Sequence, residues 1–551
     1  MFLWWGKAVV RFPWTVLALG AALVLIGATW GTGLFGVVSG GGFEDPNSES
    51  ARAVERINAE LGNQDVDIIV LYSSETATVD DPAFREAVTS TIDRLRERPE
   101  VVRVTSWYDT PSPALVSTDR RATYAVVQLQ PGDENAKTEA FSQLRPALDA
   151  PGLTTRAGGV VPFLHESSEQ TVKDITRAEL LSMPVLLVLL VVIFGGLVAA
   201  LLPLLIGGLA ILGGFVAVRL LSYVQEISIF AINVITLLGL GMAIDYSLFV
   251  LSRFREELAA GHRVDVALRR TLTTAGRTVL VSGLTIALAL ASLLIFPQVF
   301  LRSLALGGIS AVLVAMLASL TVLPALLAVL GPRVNAGRIP LPWRRSARRP
   351  AQTAAEGGWA RLARSVMRRP VRYAVAVVAL LLALAMPSLR MQFGGYDERV
   401  LPADAEARVV AEQITANFPE GTVGPIQVLV SGASAEAVRE FAARAGEVPG
   451  ITDVQVSAQR GASTLLTVTY QGEPTGKLAQ DAVRALRELP PPPGAEVLVG
   501  GRTAMDVDLM DSLASRLPWM ALIMASATFV LLLNTSSPPA KGESENLVGG
   551  G

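Results

Sequence analysis

Eight apolar runs alternate with polar segments along this chain. Each run carries at most one charged residue and approaches the roughly 20 residues that a helix needs to cross a bilayer. The runs lie at about 14–38, 180–200, 201–221, 227–252, 278–300, 303–330, 371–389 and 517–533. Residues 180–221 are too long for one crossing, and Gly195, Gly196 and Pro203 are typical of a turn. The pattern therefore predicts about eight transmembrane helices.

Two long polar segments between these runs repeat one plan. Pro46-x-x-x-Ser50-Ala51-Arg52 matches Pro402-x-x-x-Glu406-Ala407-Arg408, and Gly152 through Gly158-Gly159 matches Gly494 through Gly500-Gly501. In the first copy, alternating and amphipathic patterns predict strands and helices at about 67–73, 82–98, 101–108, 123–130, 138–149 and 154–158. The order strand, helix, strand, strand, helix, strand is that of a ferredoxin-like split βαβ domain.

The predicted fold is therefore a polytopic α-helical membrane protein with two extracytoplasmic α+β ferredoxin-like domains. Segment 1–38 contains the N-terminus and the first span, and the two exported domains occupy 39–179 and 390–516. Spans two to six fill 180–331, with an amphipathic cytoplasmic helix at 253–277, and a basic cytoplasmic linker covers 332–370. Spans seven and eight lie at 371–389 and 517–533, followed by an unstructured tail at 534–551.

The charge distribution predicts the orientation of these spans. Residues 1–13, 253–277 and 332–372 together carry 19 Lys or Arg and 4 acidic residues. The two long polar segments carry 25 basic and 41 acidic residues. Since short cytoplasmic segments are enriched in Lys and Arg, the N-terminus is predicted to be cytoplasmic and both domains extracytoplasmic.

Composition narrows the chemistry further. The chain has 551 residues, is 51% hydrophobic and only 17% charged, and has a net charge of −2. This balance argues against nucleic acid as a partner. The chain contains no cysteine and two histidines, which leaves little for thiol, metal or imidazole chemistry, so no metal or cofactor is expected. Enzymatic activity is not expected either.

Asp245 is the only carboxylate inside any of the predicted spans. It lies eight residues before Arg253, which places it about 12 Å from the cytoplasmic edge. Ionised aspartate at that depth is costly, so Asp245 is expected to take up a proton readily. A carboxyl that both gains and loses a proton is what a proton-coupled pump needs. Gly239, Gly241 and Ala243 are expected to let another helix approach and shield the acid. The alternative is a protonated Asp245 that only holds two helices together.

The run Gly239-Leu-Gly-Met-Ala-Ile-Asp245-Tyr246, followed by Ser252-Arg253-Phe-Arg255-Glu-Glu, resembles the fourth-span signature of the MMPL (mycobacterial membrane protein large) family. Leu294-Ile-Phe-Pro297 and Phe300-Leu-Arg-Ser303 are similar too, and the resemblance covers about residues 1–533. That family belongs to the resistance-nodulation-division transporters. The resemblance implies a secondary active transporter of the bacterial inner membrane with two porter domains. It also implies proton-motive-force-driven export of lipids, glycolipids or other hydrophobic metabolites.

The resemblance also implies roles for individual residues. Asp245, Tyr246 and Ser282 correspond to a proton relay, and Phe249 and Gly241 to the lining of a cavity. Two alternatives remain open from the residues alone. Ser282 is as well explained by a hydroxyl bonded to its own helix, and Phe249 by a packing aromatic.

In the family a second Asp-Tyr pair in span ten works with the first, and this chain has no span ten. The expectation is an N-terminal fragment or a pump that cannot cycle alone. Two other functions stay open: a protein-translocation accessory of the SecD/SecF type, and a non-transporting half that binds lipid or acts as a scaffold. The expected partners are a lipid-like substrate, the membrane and protons. A homo-oligomer is an open alternative.

Overall fold

Seven helices of the computed structural model are long and apolar enough to cross a membrane. They span Pro13–Gly36, Val160–Phe194, Leu197–Leu221, Phe230–Ala259, Val264–Ile295, Val299–Asn335 and Arg502–Val530, and a shorter apolar helix covers Pro370–Ala385. The structure describes residues 9, 11–62, 66–337, 358–387, 397–419 and 424–536. Most of the predicted basic linker and of the predicted tail lies outside these residues. Each predicted apolar run falls within one of these eight segments or overlaps it, while the number that cross the membrane stays a prediction.

The secondary structure within the described residues is as follows. The helices are α1 (Pro13–Thr29), α2 (Glu49–Leu61), α3 (Pro82–Arg96), α4 (Glu134–Leu144), α5 (Val160–Phe194), α6 (Leu197–Leu221), α7 (Phe230–Ala259), α8 (Val264–Ala291), α9 (Val299–Leu320), α10 (Val322–Leu330), α11 (Gly358–Arg368), α12 (Pro370–Ala385), α13 (Glu406–Asn417), α14 (Ala435–Gly446), α15 (Lys477–Glu488) and α16 (Arg502–Ser536). The strands are β1 (Ile68–Ser73), β2 (Val101–Thr105), β3 (Ala122–Leu129), β4 (Thr154–Gly158), β5 (Ile426–Ser431), β6 (Ile451–Arg460), β7 (Ser463–Tyr470) and β8 (Glu496–Gly500).

The turn between the second and third apolar helices lies at Gly195 and Gly196, two of the residues that the sequence indicates, and ahead of the boundary between the two predicted runs. Helix α5 ends at Phe194, and Gly195 caps it in the left-handed region with φ of 68°. Glycine adopts this conformation without steric cost, so the chain reverses here. Pro203 lies inside α6 and ends no helix. The predicted boundary between 200 and 201 is therefore wrong by about five residues.

The predicted amphipathic helix at 253–277 is not one helix. Helix α7 continues to Ala259 and α8 starts at Val264, so the segment is a helix end, a turn and a helix start. Glu257 is buried in this turn, where it pairs with Arg253, His262 and Arg270. These charged groups face one another, and the segment turns back on itself. It does not run as one helix along the membrane surface.

The two sheets have the predicted strand order. Their strands are arranged β2-β3-β1-β4 and β6-β7-β5-β8, with every neighbouring pair antiparallel. This is the split βαβ arrangement. Helices α3 and α4 cover the first sheet, and Phe84, Val88 and Phe141 are buried against it. The six elements predicted for the first copy are confirmed to within a few residues, and the second copy repeats them.

Each sheet also carries a helix from the other half of the chain. Helix α2 precedes the first sheet in sequence but packs Ala53 and Ile57 against Leu429, Leu465 and Leu498 of the second sheet. Helix α13 precedes the second sheet and packs on the first, where Val410, Ile414 and Phe418 contact Leu71 and Tyr124. The two segments that carry the sheets are thus linked by an exchange of helices.

The repeated glycines explain how these helices approach so closely. A Cβ atom at Gly158 would lie 2.6 Å from Cγ1 of Val410, and one at Gly500 would lie 2.9 Å from Cβ of Ala53. Any side chain at either position would displace the exchanged helix. Gly159 and Gly501 follow with φ of 95° and 90°, a conformation that favours glycine and turns each last strand into the next helix.

Candidate functional site

Asp245 lies on a face of α7 that no described element covers. Leu237, Gly241, Asp245 and Phe249 follow one another at intervals of four, so they share one face of the helix, and all four are exposed. A Cβ atom at Gly241 would meet nothing within 4 Å. Among the described residues, the Asp245 carboxyl makes no hydrogen bond or ion pair. Within the described residues the acid is therefore not shielded by a neighbouring helix, which differs from the expectation from sequence.

The small residues near Asp245 explain why it is uncovered. Gly239 and Ala243 face the interior of the bundle, and a Cβ atom at Gly239 would lie 3.4 Å from Ile211 of α6. Gly241 lies on the other side of the helix, beside Asp245. The close helix contact that the sequence predicts thus exists, but on the face away from the acid.

Tyr246 lies one position beyond Asp245 and points into the bundle. Its side chain is 3% exposed and packs in the largest apolar cluster, together with Val250, Leu272 and Met316. The tyrosine hydroxyl faces the hydroxyl of Ser282 on α8 without forming a hydrogen bond of normal geometry. The structure thus brings Tyr246 and Ser282 together across the α7–α8 contact, with Asp245 adjacent in sequence but on the open side.

Phe249 and Gly241 accompany Asp245 on the open face of α7. Phe249 is 56% exposed, so it does not serve as a packing aromatic among the described residues. Ser282 makes no hydrogen bond to a carbonyl of its own helix in the part of the chain that the structure describes. Geometry therefore places Phe249 and Gly241 with the acid, and Ser282 with the tyrosine, as two adjoining groups.

A second carboxylate, Glu179, lies on the apolar helix α5, and sequence reasoning missed it. Because α5 ends at Phe194, Glu179 is only 15 residues, or about 22 Å, from the end of its helix. A bilayer core is roughly 30 Å thick, so with the end of α5 at the membrane surface Glu179 would fall inside it. The early helix end at Gly195-Gly196 was the signal that would have revealed this, since it moves the whole span toward the sheet domains.

Two matching sets of contacts fix the exchanged helices to the helices that enter the membrane. At the start of α2, the Glu49 carboxylate accepts a hydrogen bond from the backbone N–H of Val499 at 2.9 Å and pairs with Arg487. The Ser50 N–H donates to Asp508 of α16 at 2.9 Å. The Arg487 guanidinium also pairs with Asp508 at 2.6 Å. This set therefore joins the segment that carries the first sheet to α16.

The reciprocal set joins the segment that carries the second sheet to α5. At the start of α13, the Glu406 carboxylate accepts from the backbone N–H of Ala157 at 3.2 Å and pairs with Arg145 at 2.7 Å. The Ala407 N–H donates to Glu166 of α5 at 3.2 Å. Each of these long helices thus holds the first turn of the exchanged helix that packs on the sheet immediately before it in sequence. Both acids also suit the positive end of the helix they meet.

Comparison with known proteins supplies the family. The model of the MMPL family matches residues 42–373 and 399–540. The chain belongs to the MMPL family. Its Asp245-Tyr246 pair and both sheets lie within the matched residues.

Several relatives are similar over nearly the whole chain. The trehalose monomycolate exporter MmpL3 of Mycolicibacterium smegmatis is 33% identical, over 97% of this chain and 57% of the relative. A putative membrane protein of Streptomyces coelicolor is 39% identical, over 96% of this chain and 72% of the relative. The mycolic acid-containing lipids exporter MmpL11 of M. smegmatis is 30% identical, over 95% of this chain and 56% of the relative. The chain thus spans somewhat over half the length of these two exporters.

Proposed function

We propose that this chain takes part in the export of lipids or lipid-like amphiphiles across the bacterial inner membrane, driven by proton movement at Asp245. One observation carries the proposal. A carboxyl group about 12 Å from the cytoplasmic edge, on an uncovered face of a membrane helix, has no hydrogen bond or ion pair among the described residues. The membership in the MMPL family and the lipid-export names of two relatives supply the substrate class.

Protonation of Asp245 changes what the face of α7 can contact. The ionised acid is costly against hydrocarbon and favours water or a positive partner, whereas the neutral acid tolerates an apolar neighbour. A proton taken up from one side and released to the other therefore switches the preferred packing of α7. The hydroxyls of Tyr246 and Ser282, adjacent in the α7–α8 contact, are the groups that would exchange hydrogen bonds with the acid during this switch.

Two long helices provide a path from this switch to the exported domains. Helices α5 and α16 each run for 35 residues without a break, from the last strand of a sheet into an apolar segment. Glu166 and Asp508 on these helices hold the exchanged helices α13 and α2. A shift of either helix would therefore act on the sheet that precedes it and on the exchanged helix that leads into the other sheet, which is how proton movement would reach an amphiphile between the sheets.

Replacing Asp245 with Asn tests the proposal directly. The change keeps the size and a hydrogen-bonding group but removes titration. In cells expressing the complete gene, lipids exported to the medium and outer layers are measured by mass spectrometry, with and without a protonophore. We expect Asp245→Asn to abolish the protonophore-sensitive export while membrane insertion and amount of protein stay normal.

A matched control is available on the neighbouring helix. Asp265→Asn removes a carboxylate at the start of α8 that pairs with Arg269, outside the apolar segment, and should leave export unchanged. Tyr246→Phe, which removes only a hydroxyl, should reduce export less than Asp245→Asn does. Parental export by Asp245→Asn would refute the proton role and leave Asp245 as a structural contact between helices.

A further inference from the structure

A crevice opens on the side of the helix bundle between α5, α6 and α7, away from Asp245. Its volume is 270 Å³. Phe35, Ile175 and Phe215 form its apolar wall, and Thr176, Glu179 and Thr236 contribute its polar atoms. Thr236 lies nine residues before Asp245 on α7, which places the two on opposite faces of that helix. The crevice is therefore separate from the candidate proton site.

The crevice lies in the half of the membrane nearer the sheet domains. The carbonyl of Phe194, at the far end of α5, accepts a hydrogen bond from Arg255, which marks the opposite interface. Glu179 is about 22 Å from that end. On α6, Leu212 lines the crevice and is also 15 residues from its helix start at Leu197, so two helices agree on the height. With a core of roughly 30 Å, Glu179 lies about 8 Å below the surface on the sheet-domain side.

Glu179 has no partner within the described structure. Its carboxylate makes no hydrogen bond and no ion pair there, although its side chain lines the crevice and is partly buried. An ionisable side chain at membrane depth is costly, and such residues usually meet a partner or serve a function. Any partner of this carboxylate must therefore come from outside the described residues.

All three polar groups present hydrogen-bond acceptors to the crevice. The Thr176 hydroxyl donates to the carbonyl of Val172 at 2.8 Å, and the Thr236 hydroxyl donates to that of Asn233 at 3.1 Å. Each hydroxyl proton is thus used within its own helix, and only oxygen lone pairs remain. An ionised Glu179 likewise only accepts. A ligand that satisfies this site must carry donors, which means hydroxyl or amine groups.

The size of the crevice limits how much of a ligand it holds. Its 270 Å³ lies just under the roughly 300–1,000 Å³ of sites that enclose a small molecule. Phe35 and Val172 at its rim are about two-fifths exposed. Val172 lies 22 residues, or about 33 Å, before the end of α5, so the crevice opens at the membrane surface on the sheet-domain side. It therefore fits the headgroup end of one amphiphile while the hydrocarbon tail stays among the lipids.

We propose that this crevice binds an amphiphile from the sheet-domain-side leaflet, through hydroxyl or amine donors of its headgroup that bond to Glu179 and the two threonines. Charge asymmetry predicts this leaflet to be the outer one. The proposal goes beyond lipid export, because it concerns binding in the absence of any gradient. Amine-bearing phospholipids and hydroxyl-rich glycolipids share the required chemistry.

Photolabelling of the purified chain in lipid nanodiscs tests the proposal. Three lipid probes carry the same photoactivatable diazirine near the headgroup end of one acyl chain and differ only in headgroup. Ethanolamine offers amine donors, a glucosyl group offers hydroxyl donors, and choline offers none. We expect peptides covering 172–179 and 211–215 to be labelled roughly tenfold more by a donor probe than by the choline probe, as for loss of a hydrogen bond to a charged group. The stronger of the two donor probes identifies the source of the amphiphile.

Two variants locate the binding groups. Glu179→Gln keeps the shape of the side chain and should lower labelling by the donor probes toward the choline level. Ile175→Trp should fill the crevice and lower labelling by all three probes. Val188→Trp is the matched control, because Val188 is 63% exposed on the same helix but outside the crevice, and it should leave labelling unchanged.

The outcomes are distinct from those of the export experiment. Equal labelling by choline and donor probes, or unchanged labelling in Glu179→Gln, would overturn the role of the carboxylate. Unchanged labelling in Ile175→Trp, with normal size-exclusion behaviour, would overturn the crevice as the site. Loss of export in Asp245→Asn leaves these results unaffected, since no proton gradient is present.

Discussion

Because the two sheets exchange helices, side chains from one half of the chain stabilise the sheet in the other half. Ile57 precedes the first sheet in sequence, yet its side chain is 2% exposed and packs on Leu429, Leu465 and Leu498 of the second. Ile57→Ala should therefore destabilise the second sheet. Truncating a buried isoleucine to alanine costs about 2–5 kcal/mol. At 1.4 kcal/mol per tenfold, local opening should become roughly 30-fold to more than a thousand-fold more frequent.

Hydrogen–deuterium exchange of the chain in nanodiscs measures this opening strand by strand. Peptides covering 426–431, 463–470 and 496–500 should exchange faster in Ile57→Ala, while 68–73, 122–129 and 154–158 should change little. Ile414→Ala should give the reciprocal pattern, because Ile414 packs on the first sheet. Val102→Ala, at an exposed strand position, is the control that should alter neither. Faster exchange confined to the first sheet in Ile57→Ala would refute the helix exchange.

Three further predictions concern the same molecule. Gly158→Ala should lower the melting temperature, since overpacking against Val410 costs about 1–3 kcal/mol. Gly446→Ala is the control: its added methyl group meets nothing within 4 Å and should leave the melting temperature unchanged. Equal melting temperatures for the two variants would contradict the close approach of Gly158 and Val410. Hydrogen bonds from Ser463 and Ser431, together with Arg56, hold the pKa of Glu60 below its ordinary value, so its contribution is present above the ordinary glutamate pKa and is lost as the pH falls through the lowered one. Melting temperatures from pH 7 down to 3 should thus fall more steeply in the parent than in Glu60→Gln, and parallel curves would refute this. For topology, single cysteines at residues 136 and 435 should react with a membrane-impermeant reagent on intact cells, and one at 354 should not; labelling at 354 would reverse the orientation.

Much of the architecture was predictable because it depends on local patterns. The apolar runs, the repeat and the strand order follow from periodicity over 5 to 20 residues, which records how each segment meets its surroundings. Within the first copy, the matched glycine spacing and alternating strands were enough to predict the split βαβ order. Asp245 was also identifiable, since a single carboxylate in an apolar run stands out without any knowledge of its neighbours.

Tertiary structure alone decided which faces meet. An amphipathic pattern shows that α2 and α13 each bury one side, but either sheet would satisfy it, and only long-range packing selects the opposite one. For Asp245, glycines at 239 and 241 look equivalent in sequence, yet helical geometry points one toward α6 and the other toward the open side. Glu179 lies within the segment predicted to cross the membrane only because α5 ends at Phe194, before the left-handed Gly195. Partners of a face and the exact height of a helix depend on contacts far apart in the chain, which no local pattern contains.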